Sequence, residues 1–201
     1  MRKVIYSERR RRIHAFFKNL YKKSMFYQWS KKSHGIDASN VDPLTGLYNP
    51  FGINIFLKEL HPQAGLNYAI ILLNIDNFEK IQHNFGTKAA ERSLIKTARI
   101  LTNNVRDTDL IGRYGEHEFI LILSEIDLDR ANEVAQRCLQ LIQNNPIQFN
   151  ALSITLQASC GVSASKADVV SDKILQYADR ALFLAKTSGF NQLRDERAIF
   201  S

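Results

Sequence analysis

The stretch from Asp109 to Leu123, DLIGRYGEHEFILIL, constrains the fold of this chain more than any other part. Two runs of mostly β-forming residues flank Gly115 and Glu116, which predicts a hairpin whose tip carries Glu116, His117 and Glu118. Three ionisable side chains at one turn mark either chemistry or a solvated loop.

At 201 residues, 45% hydrophobic and 23% charged, the chain suits one globular domain with a sizeable core plus an appendage. The net charge of +7 is unevenly placed, because residues 1–32 hold eleven Lys or Arg against one acid and the remainder sums to −3. The division is therefore 1–40, a basic amphipathic helix and linker, and 41–201, the domain. Between Ser7 and Trp29, Ile13, Phe16, Phe17, Leu20 and Tyr21 recur at helical spacing among arginines and lysines. Such a helix suits packing on its own domain or on a protein partner, including a second copy. An anionic membrane surface fits less well, and nucleic acid least. Cys138 and Cys160 read as buried small hydrophobes, which favours a reducing compartment. No apolar run approaches the roughly 18 residues needed to span a bilayer, and the N-terminus lacks the apolar block of a secretory signal. The expected location is cytoplasmic, peripheral to the inner membrane if the basic helix meets lipid.

Along the domain, Asp42–Asn49 (DPLTGLYN) reads as a turn whose polar side chains tie down backbone before a short helix, Gly52 to Leu60. The apolar run within Asn67 to Phe78 predicts a strand buried on both faces. Helices follow from the spacing over about Thr87 to Val105, Leu128 to Ile142 and Ser171 to Gly189, the last with Ser171 as cap and Gly189 as terminator. Leu152 to Ala164 reads as a hairpin strand. The pattern of strand, helix, hairpin, helix, strand, helix fits an α/β sandwich of one sheet.

Arg113 to Phe119, RYGEHEF, resembles the signature hairpin of the GGDEF family, the diguanylate cyclases; Gly115, Glu118 and Phe119 match, while Glu116 and His117 depart. DPLTGLYN is similar to the family's opening motif at Asp42, Leu44, Thr45, Leu47 and Asn49, and AKTSGFNQ to its ending at Ala185, Lys186, Ser188, Gly189 and Asn191. The resemblance covers residues 42–194. It implies an α/β (α+β) fold with a central, mainly antiparallel sheet flanked by helices, akin to a polymerase palm.

The resemblance also implies two sites. Active cyclases carry metal-binding acids where Asn74 and His117 stand, and an asparagine carbonyl holds Mg²⁺ far less well than a carboxylate. Asp76 matches a second family Asp. Gln82 and Glu91 replace the guanine-reading Asn and Asp, each one methylene longer. Glu116 replaces the glycine that lets backbone approach the nucleotide, Glu79 stands where a basic residue often meets phosphates, and Phe190 replaces a phosphate-contacting arginine. Glu118 and Lys186 remain. One imidazole beside Asp76 or Glu118 is too sparse for a transition-metal site. The expectation is a vestigial catalytic site with no metal and no cofactor. Just upstream of the hairpin, Arg106 and Asp109 fall in the register of the family's inhibitory Arg-x-x-Asp site for cyclic di-GMP, and Arg137 matches a further arginine that grips the same ligand. An arginine fork suits phosphate or the acceptor edge of guanine, and a carboxylate suits its N–H groups. The resulting expectation is an inactive domain that receives cyclic di-GMP. Its alternatives are a nucleotide-independent interaction module and, third, a residual cyclase.

Overall fold

The computed structural model describes residues 38–60, 67–106, 108–166 and 169–200, so the basic helix expected between Ser7 and Trp29 lies outside the described residues. Its strands are β1 (Tyr68–Ile75), β2 (Leu110–Arg113), β3 (Glu118–Ser124), β4 (Ile147–Phe149), β5 (Leu152–Ile154), β6 (Ala158–Ala164) and β7 (Leu193–Asp195). Its α-helices are α1 (Pro50–Glu59), α2 (Phe78–Phe85), α3 (Thr87–Asn103), α4 (Leu128–Asn144) and α5 (Ser171–Thr187).

The apolar run folds as the buried β1, central in a sheet ordered β2-β3-β1-β6-β7. Pairing is antiparallel except between β6 and β7, which run parallel, so the sheet is mixed. Side chains alternate across a strand. Ala69, Ile71, Leu73 and Ile75 therefore join the core beneath α2, α3 and α4, whereas Tyr68, Ile70 and Leu72 join the core beneath α1 and α5. The same alternation sets the site: at the end of β1, Asn74 lies opposite Glu118 on one side and Ser159 on the other.

Several local expectations need correction. Leu152 to Ala164 is two strands: β5 pairs with β4 in a separate ribbon, and β6 enters the main sheet. Asn77 fixes the break, its side chain donating to the Thr155 carbonyl (3.0 Å) and accepting from the Gln157 N–H (3.0 Å). Ser171 is not the cap of α5. Val170 holds that position, and the Ser171 hydroxyl donates to the Leu57 carbonyl at 2.8 Å, fastening α5 to α1. The segment before α3 is itself a helix, α2, parted from α3 by Gly86 at φ 81°, a conformation that only glycine adopts cheaply.

A clasp closes the C-terminal end. Arg197 pairs with Asp195 and, at 3.0 Å, with Asp129 of α4, and Asn132 donates to Asp195 at 2.7 Å. The Arg197 hydrogen bonds hold the Asp195 carboxyl below its ordinary 3.8. A group whose pKa is lower in the folded state adds stability above its unfolded pKa and loses it as pH falls through the folded one. Asp195→Asn is expected to lower the Tm by roughly 2 °C at pH 7, modest because Arg197 is solvent-exposed. Melts repeated below pH 4 should show the difference from wild type shrinking.

Candidate functional site

The hairpin forms as expected: the Tyr114 and Gly115 N–H groups close on the Glu118 carbonyl at 2.8 and 3.3 Å. Arg113 braces its tip, donating to the Glu116 carbonyl from Nε (3.2 Å) and Nη2 (2.6 Å) and pairing with Asp42 through Nη1 (3.2 Å). Asp42 in turn accepts from the Thr45 N–H at 2.7 Å, so the DPLTG turn and the hairpin tip are one braced unit.

Behind the tip, Asn74 is 1% exposed and its Nδ2 donates to Glu118 Oε1 at 3.1 Å. A carboxylate only accepts, so the amide must face it with its N–H₂ end. Asp76 Oδ2 accepts from the Ser159 hydroxyl (2.9 Å) and the Asn191 N–H (3.0 Å). Burial raises the Asp76 pKa, opposed by those two hydrogen bonds and by the nearby charges of Lys186 and His117. The His117 ring stacks on Phe78 with centroids 5.0 Å apart, and its backbone carbonyl accepts from the Ile75 N–H at 3.1 Å. Asn74 Oδ1, Asp76 Oδ1 and His117 Nδ1 are buried without a hydrogen-bond partner among the described residues. Glu116 and Lys186 are exposed at the rim, as are Gln82 on α2 and Glu91 on α3. Lys80 places its ammonium 5.1 Å from the centre of the Phe190 ring. Among the described residues no three His, Cys, Asp or Glu side chains are placed to share a metal ion.

At the opposite end of the hairpin lies the arginine edge. Arg106 and Arg137 are both exposed, and Arg137 Nη2 donates to the Asn104 carbonyl at 3.0 Å, which brings α4 against the turn that carries Arg106. Asp109 differs from the two arginines in being only 7% exposed. Its Oδ2 accepts from the Arg106 N–H at 2.7 Å, and its Oδ1 from the Ser124 N–H at 3.0 Å. Burial raises its pKa, although the Ser124 and Arg106 N–H groups and the Arg106 charge pull the other way.

Ser124, Ser159 and Phe78 hold site residues in place and were not anticipated as partners. The hairpin register alone points to Ser124, since Leu110 opposite Ile122 puts Asp109 beside the far end of β3. No comparable sequence signal marks Ser159 or the stacking of Phe78 on His117.

The model of the family described as "Diguanylate cyclase, GGDEF domain" matches residues 39–192. Diguanylate cyclase DgcP of Pseudomonas aeruginosa is 29% identical over 157 residues, 76% of this chain and 23% of its own length. The chain thus spans about a quarter of that relative. Among solved structures, the GGDEF domain of DgcB from Caulobacter crescentus in complex with c-di-GMP superposes with a TM-score of 0.75 at 18% identity, over 82% of this chain and 99% of that one. Diguanylate cyclase SiaD of P. aeruginosa in complex with its activator SiaC gives 0.75 at 26% identity, over 96% and 76%. Among the described residues no helix is long and apolar enough to cross a membrane.

Proposed function

This chain belongs to the GGDEF family, and we propose that within it the domain receives cyclic di-GMP at the arginine edge and makes none. The observation that carries the receptor reading is the meeting of two exposed arginines, Arg106 and Arg137, at one turn shaped by Asp109. Guanidinium forks offered from one turn and the helix packed on it suit the phosphates and the guanine acceptor edges of a cyclic dinucleotide.

The other end supports inactivity. Phosphoryl transfer in this family depends on metal carboxylates that neutralise charge developing on the phosphates. In place of a carboxylate pair, Asn74 gives Glu118 an amide donor, which satisfies the carboxylate without a cation. His117 turns its ring onto Phe78 instead of offering an oxygen, and Phe190 packs with Lys80. The residues present do not fit a pair of Mg²⁺ ions, so no step is assigned to them. Purified protein incubated with GTP and Mg²⁺ or Mn²⁺ is expected to yield no cyclic di-GMP by chromatography. Product well above background, abolished by Glu118→Ala, would refute inactivity.

Isothermal titration with cyclic di-GMP, run in parallel with GTP plus Mg²⁺, tests the receptor reading directly. Saturable heat in the low-micromolar range is expected with the dinucleotide. A flat trace to about 100 µM, far beyond the affinity arithmetic of a signal receptor, would leave a protein-interaction module as the reading. That second reading draws on the basic segment of residues 1–32, whose charge and apolar stripe suit docking on a protein partner or an anionic membrane surface.

A further inference from the structure

We infer that the outward face of α3 and the tip of the β4–β5 ribbon form one seat for an anionic phospholipid surface, α3 supplying the charge and Leu152 the apolar contact. The inference stands apart from the receptor reading, which uses neither element. At 3.6 residues per turn, Lys88, Arg92, Lys96 and Arg99 fall within about a quarter-turn of one another, along a ridge roughly 16 Å long. Lys88, Arg92 and Arg99 are exposed and Lys96 is half-buried. Glu91, the acid of α3, stands about a quarter-turn to the side, at the rim of the vestigial site. Among the described residues none of the four cations has an ion-pair partner. Like charges four residues apart on a helix repel, so the ridge works against the isolated helix, and an anionic surface relieves that repulsion. Residues 33–201 sum to −3 with these four cations included, so the rest of the domain is acidic and an anionic surface selects this face.

Charge alone suits a lipid surface and an acidic protein equally; the ribbon favours lipid. Arg92 ties the ribbon to the ridge, its Nη1 donating to the Gln148 carbonyl at 3.1 Å and its guanidinium lying 5.0 Å from the centre of the Phe149 ring. The chain then turns back through Asn150 and Ala151, both at positive φ (47° and 64°), as a two-residue hairpin turn requires. That register sets Leu152 directly opposite Phe149, and residues directly opposite share one face of a ribbon. Leu152 is nevertheless 53% exposed. A leucine held out beside a row of cations suits the interfacial layer of a bilayer: the apolar tip enters the boundary between headgroups and acyl chains, while the long basic side chains reach the phosphates. The attraction of each cation to such a surface falls away within a Debye length, so binding by this face weakens with salt.

The test uses the full chain and an environment-sensitive fluorophore on an introduced thiol, which is selective because Cys138 and Cys160 are 1% and 0% exposed. Leu152→Cys places the label on the ribbon, and Phe183→Cys places it on α5, on the other face of the sheet, where the native side chain is 67% exposed. Vesicles of phosphatidylcholine with about one third phosphatidylglycerol are expected to brighten and blue-shift the label at 152 and to leave the label at 183 unchanged. Pure phosphatidylcholine vesicles should move neither. Residues 1–32 add their own charge to every variant alike, so the difference between the two labels reads the ridge. Lys88→Glu/Arg99→Glu is expected to weaken vesicle binding about thirtyfold. Lys88→Gln/Arg99→Gln, the milder pair, should show a smaller loss with an unchanged circular dichroism spectrum. Equal responses at 152 and 183, undiminished affinity in both pairs of substitutions, or equal binding to pure phosphatidylcholine would each overturn the inference. So would a chain that ignores the vesicles yet binds poly-glutamate through Lys88 and Arg99, which would assign the ridge to an acidic protein instead.

Discussion

Arg106→Ala is expected to weaken cyclic di-GMP binding about tenfold to a hundredfold or more, the loss of charge-assisted hydrogen bonds worth roughly 1.5 to 3 kcal/mol. The guanidinium of Arg106 is exposed, and among the described residues no hydrogen bond holds it in the way that the Asn104 carbonyl holds Arg137. Arg137→Ala should therefore cost less, since one of its N–H groups is already engaged. Asn74→Ala and His117→Ala are the controls: they lie at the tip of the hairpin, while the arginines lie at its base, and should leave the affinity nearly unchanged. Titration of the four variants checks the order. Losses confined to the tip variants would mean that the ligand sits beside Asn74 and His117 instead.

The largest stability effect is expected at Gly161. A Cβ built there would lie 2.0 Å from the Ala178 carbonyl oxygen and 2.2 Å from the Leu182 nitrogen, both backbone atoms of α5. Neither can swing aside as a side-chain tip would, so the whole helix must lift from β6 and open the core formed with Ile174, Ala178 and Leu182. Gly161→Ala should cost about 3 kcal/mol or more, at the upper end of overpacking penalties. That corresponds to a fall in Tm of roughly 10 °C. Thermal melts followed by circular dichroism would show it, and a change under 2 °C would mean that α5 can shift cheaply.

How much of this was legible in the residues varies with the physical range of the signal. The hairpin was legible because β-forming runs meet at Gly115 and Glu116, and the central strand because Tyr68 to Leu73 is an unbroken apolar run. Both are local patterns. The split of Leu152 to Ala164 was not, because it depends on Asn77, 78 residues earlier than the Thr155 carbonyl that it binds. Ser171 misled for a similar reason: a serine at a helix start reads as a cap, but here tertiary contact with Leu57 takes its hydroxyl. In the candidate sites, residue identities carried the chemistry, such as the amide at Asn74 and the imidazole at His117. What they could not carry was orientation. Nothing in Arg-x-x-Asp tells whether the aspartate faces a ligand or its own backbone, and the ring of His117 finds Phe78 only through the packing of α2.

The outer margins of the sheet carry a consequence for behaviour at high concentration. An unpaired ladder at a sheet edge is a template on which another chain can polymerise. Here β2 is not left open, because Tyr48 lies along it, taking the Arg113 N–H at 2.8 Å and donating to the Ile111 carbonyl at 3.4 Å. The far margin, β7, is only three residues long. The bond between Arg113 and Asp42 that braces the hairpin thus also holds the Tyr48 strap along β2, and a lesion that frees the strap would open that edge to pairing with another chain.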